Sequence, residues 1–228
     1  MNSVAQPQLE ALVAWAAKDR DDVVEARREY LAGTGEIHED EAAFESRMQA
    51  FFNWYLLDRK SGTPPMTPAQ RFLQAEGARL AAVEKAFFIG FTQSKHSLFE
   101  VRQLGVGLIR VREDLVKLRD AFNGDEFVVT ERRRLAGLER GDLLEARLLP
   151  FGDSLHFSSA FTYHARAVRP QIWKEIKRRR KAGSLEPRPF VWELQRMALN
   201  LDRFKNIPPQ TIYSFDAPFL GRRESANG

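Results

Sequence analysis

Residues 116–132 read VKLRDAFNGDEFVVTER. Asn123-Gly124 at the centre is a strong hairpin signal, because a two-residue turn of this kind needs positive φ, which Asn and Gly tolerate. The flanking runs LVKLRDAF and EFVVTER are β-branched and aromatic. The stretch therefore predicts two antiparallel strands joined by a tight turn. Working outward, SLFEVRQL (97–104), GLIRVRE (107–113), LLEARLL (143–149) and LHFSSAFTYH (155–164) have the same character, and Phe151-Gly152-Asp153 supplies a second turn. Within 155–163, Leu155, Phe157, Phe161 and Tyr163 alternate with His156, Ser158 and Thr162, the period of a half-buried antiparallel strand. About six strands in this stretch predict an antiparallel sheet, either curled or closing into a small open barrel.

Helical spacing flanks this centre on both sides. Leu9, Leu12, Val13, Ala16 and Ala17 predict a helix over 8–32, with a bend or break at the charged run Lys18–Asp22. Phe44, Met48, Phe51, Phe52, Tyr55 and Leu56 form a broad apolar stripe on a helix expected over 38–60. Thr67-Pro68 reads as an N-cap and first helical residue, Gly77 as a divider, and Gly90 as a helix end or a point of close approach. Pro170 opens a helix to about Lys181, and a last helix spans about 187–204. The tail IPPQTIYSFDAPFLG (207–221) is expected to lie extended across the body. The fold class is α+β, with a helical region over 1–93, a β region over 94–165, and C-terminal helices with a tail over 166–228. These are read as one cooperative unit.

Hydrophobic residues make up 43% and charged residues 29% of 228, values of an ordinary globular chain that buries its own core. The absence of cysteine excludes disulfides, thiolate metal sites and a cysteine nucleophile, and fits a reducing, cytoplasmic setting. No apolar run is long enough to span a membrane, so no membrane partner is expected. The net charge of +4 is uneven: residues 1–93 carry 10 Lys+Arg and 14 Asp+Glu (−4), and residues 94–228 carry 25 and 17 (+8). Such asymmetry points to an anionic partner for the second part as an expectation.

The segments FFNWYLLDR (51–59), TPAQRFL (67–73), SLFEV (97–101), VKLRDAFNGDEFVVTER (116–132) and GDLLEARLLPF (141–151) resemble a group of uncharacterised bacterial proteins. In related proteins a similar region accompanies a cysteine-rich SEC-C zinc motif. This chain lacks cysteine and so lacks that motif. The resemblance spans 44–160 and implies a shared fold. It carries over no catalytic residue and no activity.

Residues 174–181 read KEIKRRRK, six basic side chains and one acid. Basic residues suit a helix C-terminus, and Ala182-Gly183 is where a C-terminal cap falls. That leaves five consecutive cations unexplained, which phosphate contact would account for. Lys174, Lys177, Arg178, Arg179, Arg180 and Lys181 are therefore candidate anion contacts, as are Arg132, Arg133 and Arg134 of a second basic run. Trp54, which falls off the main stripe of its helix, and Tyr213, Phe215 and Phe219 of the tail are candidate protein contacts. His38, His96, His156 and His164 show no metal-ligand spacing, and Asp142, Glu145 and Arg147 read as turn and strand positions. Nucleophile elbow, Walker A loop and dinucleotide-binding glycines are missing, so no catalytic residue, metal or cofactor is assigned. The expected function is a non-enzymatic interaction or regulatory protein with a protein partner. The alternative is a nucleic-acid-binding protein that uses 174–181 and 132–134.

Overall fold

The molecule is described from a computed structural model, which covers residues 5–106, 112–131, 137–217 and 219. The N-terminal layer consists of α1 (Gln6–Ala16), α2 (Arg20–Thr34), α3 (Phe44–Leu57), α4 (Pro68–Glu76) and α5 (Ala82–Thr92). The charged run breaks the first helix as expected, because the Asp19 carboxylate accepts from Asp22 N (3.2 Å) and caps α2. Thr67 and Gln70 form a reciprocal capping box with Pro68 at the first position of α4. The helix expected from residue 38 starts only at Phe44. Residues 38–43 make turns instead, and Glu41 is drawn out to Arg203, whose Nε and Nη2 donate to its carboxylate at 2.7 Å each. Tyr30, Phe51, Trp54, Tyr55, Phe72, Phe88 and Phe91 meet in one core under these helices.

The Arg203 hydrogen bonds hold the Glu41 carboxyl down at about 2, from an ordinary 4.5. A depressed carboxylate contributes stability that is present above its unfolded value and is lost as pH falls through its folded value. For Glu41 the window runs from pH 4.5 down to about 2. Replacing Arg203 with Met should flatten the fall of the urea midpoint between pH 5 and pH 3. A fall as steep as that of the wild type would show that this pair contributes nothing.

Next come β1 (Lys95–Val106), β2 (Arg112–Asp120), β3 (Glu126–Thr130), β4 (Leu143–Phe151) and β5 (Ser154–Tyr163). Their order is β1-β2-β3-β5-β4, and β4 pairs back onto β1, so the ring closes. All ladders are antiparallel except β3 with β5, which pair parallel at Val129–Leu155 and Thr130–His156. The central sheet expected between two sets of helices is thus present, antiparallel but for the short β3–β5 ladder, and it curls until its ends meet. A hairpin forms at Asn123-Gly124, but only Gly124 takes a positive φ (+84°); Asn123 keeps a negative one, and its Oδ1 accepts from Asp125 N (3.0 Å). The loop is longer than two residues, however, with Asp120 N bonded to Asp125 O (2.8 Å). Phe122 is pulled from the hairpin toward Phe190, 5.7 Å away, and its N–H is held by the Asp120 carboxylate (2.8 Å).

Phe99, Val101, Val116, Leu118, Val129, Leu144, Ala146, Leu148 and Phe157 fill the ring. Strand β4 is buried on both faces. Its even positions point into the ring, while Leu143 joins the C-terminal core and Leu149 the N-terminal one. After a short 3₁₀ turn (Arg166–Val168) come α6 (Arg169–Lys181), α7 (Pro187–Arg203) and α8 (Pro209–Ile212). Ile172, Ile176, Phe190, Leu194, Ile212 and Tyr213 pack with Leu98 and Leu143 of the barrel. The tail is thus not simply extended: it forms the short α8 and then docks aromatic by aromatic. Helix α3 lies on β5, α5 on β4, and α7 on β1 and β5. Among the described residues no helix covers β2 or β3 to a similar extent.

Candidate functional site

Two regions bear polar side chains in number. The first is the outer edge of β4, where Asp142, Glu145 and Arg147 face the helices. Arg147 is 1% exposed; both its Nη groups donate to the Asp58 carboxylate, and Nη1 also donates to Ser94 Oγ (2.9 Å). Glu145 Oε1 meets His96 Nε2 (2.8 Å) and accepts from Gln195 Nε2, while Gln195 Oε1 accepts from Tyr30 O–H (2.9 Å). Burial pushes the Glu145 carboxyl up, but the hydrogen bonds from His96 and Gln195 and the nearby imidazoles together outweigh it and hold the group below its usual range. Burial drives His164 down to about 4, so it is neutral at pH 7, and its Nδ1 pairs with Tyr213 O–H (3.0 Å). Asp142 accepts from the Arg166 and Arg169 guanidinium groups and from Glu139 N.

The pocket beside Glu145 and His96 measures about 10 Å³, room for one water-sized molecule. Among the described residues no three His, Cys, Asp or Glu side chains converge to hold a metal. Each of the β4 charges is engaged in holding helices to barrel.

The second region is basic. Helix α6 ends in a Schellman motif: Gly183 takes φ of +68°, its N–H reaches Arg180 O (3.1 Å), and Ser184 N–H reaches Arg179 O (3.0 Å). The arginines before it are engaged within the fold. Arg178 donates to both oxygens of Glu175 (2.6 and 2.5 Å). Arg179 bridges Glu175 (2.6 Å) and Glu193 (2.7 Å) and lies over the Phe190 and Phe215 rings. Arg180 donates to Ala121 O (3.1 Å) and Phe122 O (2.9 Å), which docks the helix end on the β2–β3 hairpin. Lys174, Lys177 and Lys181 are exposed and have no partner among the described residues. The run Arg132–Arg134 lies outside the described residues.

The four aromatic candidates all turn inward. Trp54 is 3% exposed, wedged between Tyr30 (5.5 Å) and Trp192 (5.3 Å), because α7 covers the side of α3 that its stripe leaves bare. Tyr213 is 1% exposed, Phe215 stacks on Phe190 (5.6 Å, 8°), and Phe219 meets Phe204 edge-on (5.2 Å).

The sheet face that the helices leave bare carries residues that sequence reasoning passed over. Arg102, Gln103 and Leu104 of β1, Lys117 of β2, Glu126 of β3 and Arg140 line a surface groove of about 530 Å³. Arg102 pairs with Glu100 (3.1 Å) and Lys117 with Glu126 (2.8 Å). Arg119 and Arg140 are exposed; Arg119 stands across the ladder from Glu126, whose carboxyl its charge helps to lower, and neither arginine makes an ion pair or hydrogen bond at contact distance among the described residues. Leu104 and Val128 are 44% and 45% exposed beside these charges. The signal was available for β2, where Lys117 and Arg119 alternate with buried Val116 and Leu118.

Fold and site together define an α+β protein built on a closed five-stranded ring with one bare, basic face. Residues 19–188 match a family of unknown function, DUF7986, and the chain belongs to that family. No curated protein and no solved structure matches the chain, and the SEC-C likeness has no counterpart in these comparisons. Among the described residues no helix is long and apolar enough to cross a membrane.

Proposed function

We propose that the protein is a non-enzymatic, regulatory nucleic-acid-binding protein and that the bare β1–β2–β3 face is its binding surface. The observation that carries this reading is the grouping of exposed cations, Arg119 and Arg140, with exposed aliphatic side chains, Leu104 and Val128, on the part of the ring without helices. Cations neutralise phosphates and release counterions, and apolar side chains meet the flat faces of bases. The strand order, with β3 and β5 parallel, is that of the OB-type Greek-key barrel, which binds oligonucleotides and oligosaccharides across strands 2 and 3. The cationic character favours the oligonucleotide. A nucleic-acid ligand also agrees with a cytoplasmic location.

The second reading, a protein partner, has a separate observation. An apolar cleft of about 350 Å³ beside α7 is lined by Trp192, Met197, Ile212 and Phe219, with Glu193 and Arg196 among its polar residues.

The test is fluorescence anisotropy with labelled oligonucleotides at several salt concentrations, on the wild type and an Arg119→Gln, Arg140→Gln double variant. The wild type should bind at micromolar concentration or tighter, weakening steeply with salt. Two lost phosphate contacts should lower the slope of log affinity against log salt by about 1.4 on a single strand. Absence of wild-type binding at low salt would sink the reading.

A further inference from the structure

We infer that the ligand is a single strand that leaves the barrel face, passes the β2–β3 hairpin and continues along α6, where Lys174, Lys177 and Lys181 hold its phosphates. This rests on the nucleic-acid reading above and adds its strandedness and its path. Three observations carry it.

The first is the spacing of the lysines. Positions 174, 177 and 181 stand at i, i+3 and i+7, so one face of α6 presents them as a row about 10 Å long. None has a partner among the described residues, although each repels the next. The arginines beside them show what partnered cations look like in this helix: Arg178 and Arg179 are satisfied by Glu175, and Arg179 also by Glu193. The lysines are the part of the run that structural demands leave over.

The second is continuity. Arg180 ties the end of α6 to the backbone of Ala121 and Phe122, in the loop joining β2 to β3. The guanidinium of Arg119 lies at the same loop, 3.6 Å from where a Cβ on Gly124 would sit. Lys117 follows two residues further along β2, and Lys117 to Ala121 spans about 13 Å of strand. Arg119 therefore places a cation at the loop on which the end of α6 docks, between the acids Asp125 and Glu126 and the helix end.

The third is shape. A path that crosses a sheet face and then rounds a hairpin onto a helix suits a flexible strand. A duplex is stiff over about 150 base pairs, and it hides its base faces from Leu104 and Val128 within the stack.

The experiment uses the full chain with labelled oligothymidylates of about 4 and about 12 nucleotides, the first at the lower end of the strand lengths that one such barrel covers and the second well within them, and a duplex of the longer length. Wild type is compared with Lys174→Gln, Lys177→Gln, Lys181→Gln. Its three sites are exposed, so circular dichroism should be unchanged. The triple variant should bind the long strand about tenfold more weakly, with a salt slope lower by about 2, and bind the short one as the wild type does. The wild type should prefer the long strand to the duplex. The path is refuted if the variant holds the long strand unchanged or weakens both lengths equally, and strandedness is refuted if wild type binds duplex as tightly. Wild type that binds neither length overturns the underlying reading itself. Loss confined to the long strand in the variant leaves that reading standing and places the lysines on it.

Discussion

Arg147→Met should lower the free energy of unfolding by about 3–5 kcal/mol, because it strips the partner from a carboxylate already removed from most of the solvent. Arg147 is 1% exposed and grips Asp58, the C-cap of α3, with both Nη groups, and Ser94 with one of them. Burial pushes the Asp58 carboxyl up, but the Arg147 charge and hydrogen bonds more than cancel this and keep it ionised. Without Arg147 the charge must be hydrated in place or protonated, and either loosens α3 from β4. Adding Asp58→Asn should recover much of the loss, since neutral groups of similar size replace buried pairs with little penalty. The cycle is read from urea midpoints of four proteins. A single-variant loss under about 1 kcal/mol would mean that the pair is solvated and that helices and barrel are held together elsewhere.

Gly90→Ala reverses an ordinary rule. In a helix interior this change usually gains up to about 1 kcal/mol. Here a Cβ on Gly90 would stand 2.1 Å from Pro150 O and 3.2 Å from Pro150 C. Those atoms are backbone of β4 and cannot rotate away, so α5 must lift off the sheet. Phe87 stacks on Phe151 at 3.7 Å just beside this point, and that contact would open as well. A loss of about 2–3 kcal/mol is expected, in the range of core overpacking. A rise in the thermal midpoint on Gly90→Ala would show that α5 does not sit this close to β4.

Local chemistry was legible in the sequence where it is self-contained. Thr67-Pro68 marked the start of α4, Gly183 the end of α6, and Asn123-Gly124 the hairpin, because caps and turns depend on residues within a few positions. Closure of the ring was not legible, since Val129 finds Leu155 across an intervening strand and no periodicity records that. Glu145 and Arg147 were legible as strand positions, but their burial was not. Their partners lie 49 to 89 residues away, so the seam emerges only from tertiary structure. The basic run on α6 was legible as a cluster. Which of its members were spent was not, because Glu193 and the Ala121 and Phe122 carbonyls come from other elements. On β1 the alternation that would have exposed Arg102 is broken by a bulge between Val101 and Gln103.

The bare face is tested most directly by following backbone amide resonances of the ¹⁵N-labelled chain while a single-stranded oligonucleotide is added at low salt. Shifts concentrated at Gln103, Leu104, Lys117, Arg119 and Val128, with amides of α1 to α5 unmoved, are the predicted result. Shifts confined to the N-terminal helices, or none at saturating oligonucleotide, would contradict nucleic-acid binding on the β1–β2–β3 face.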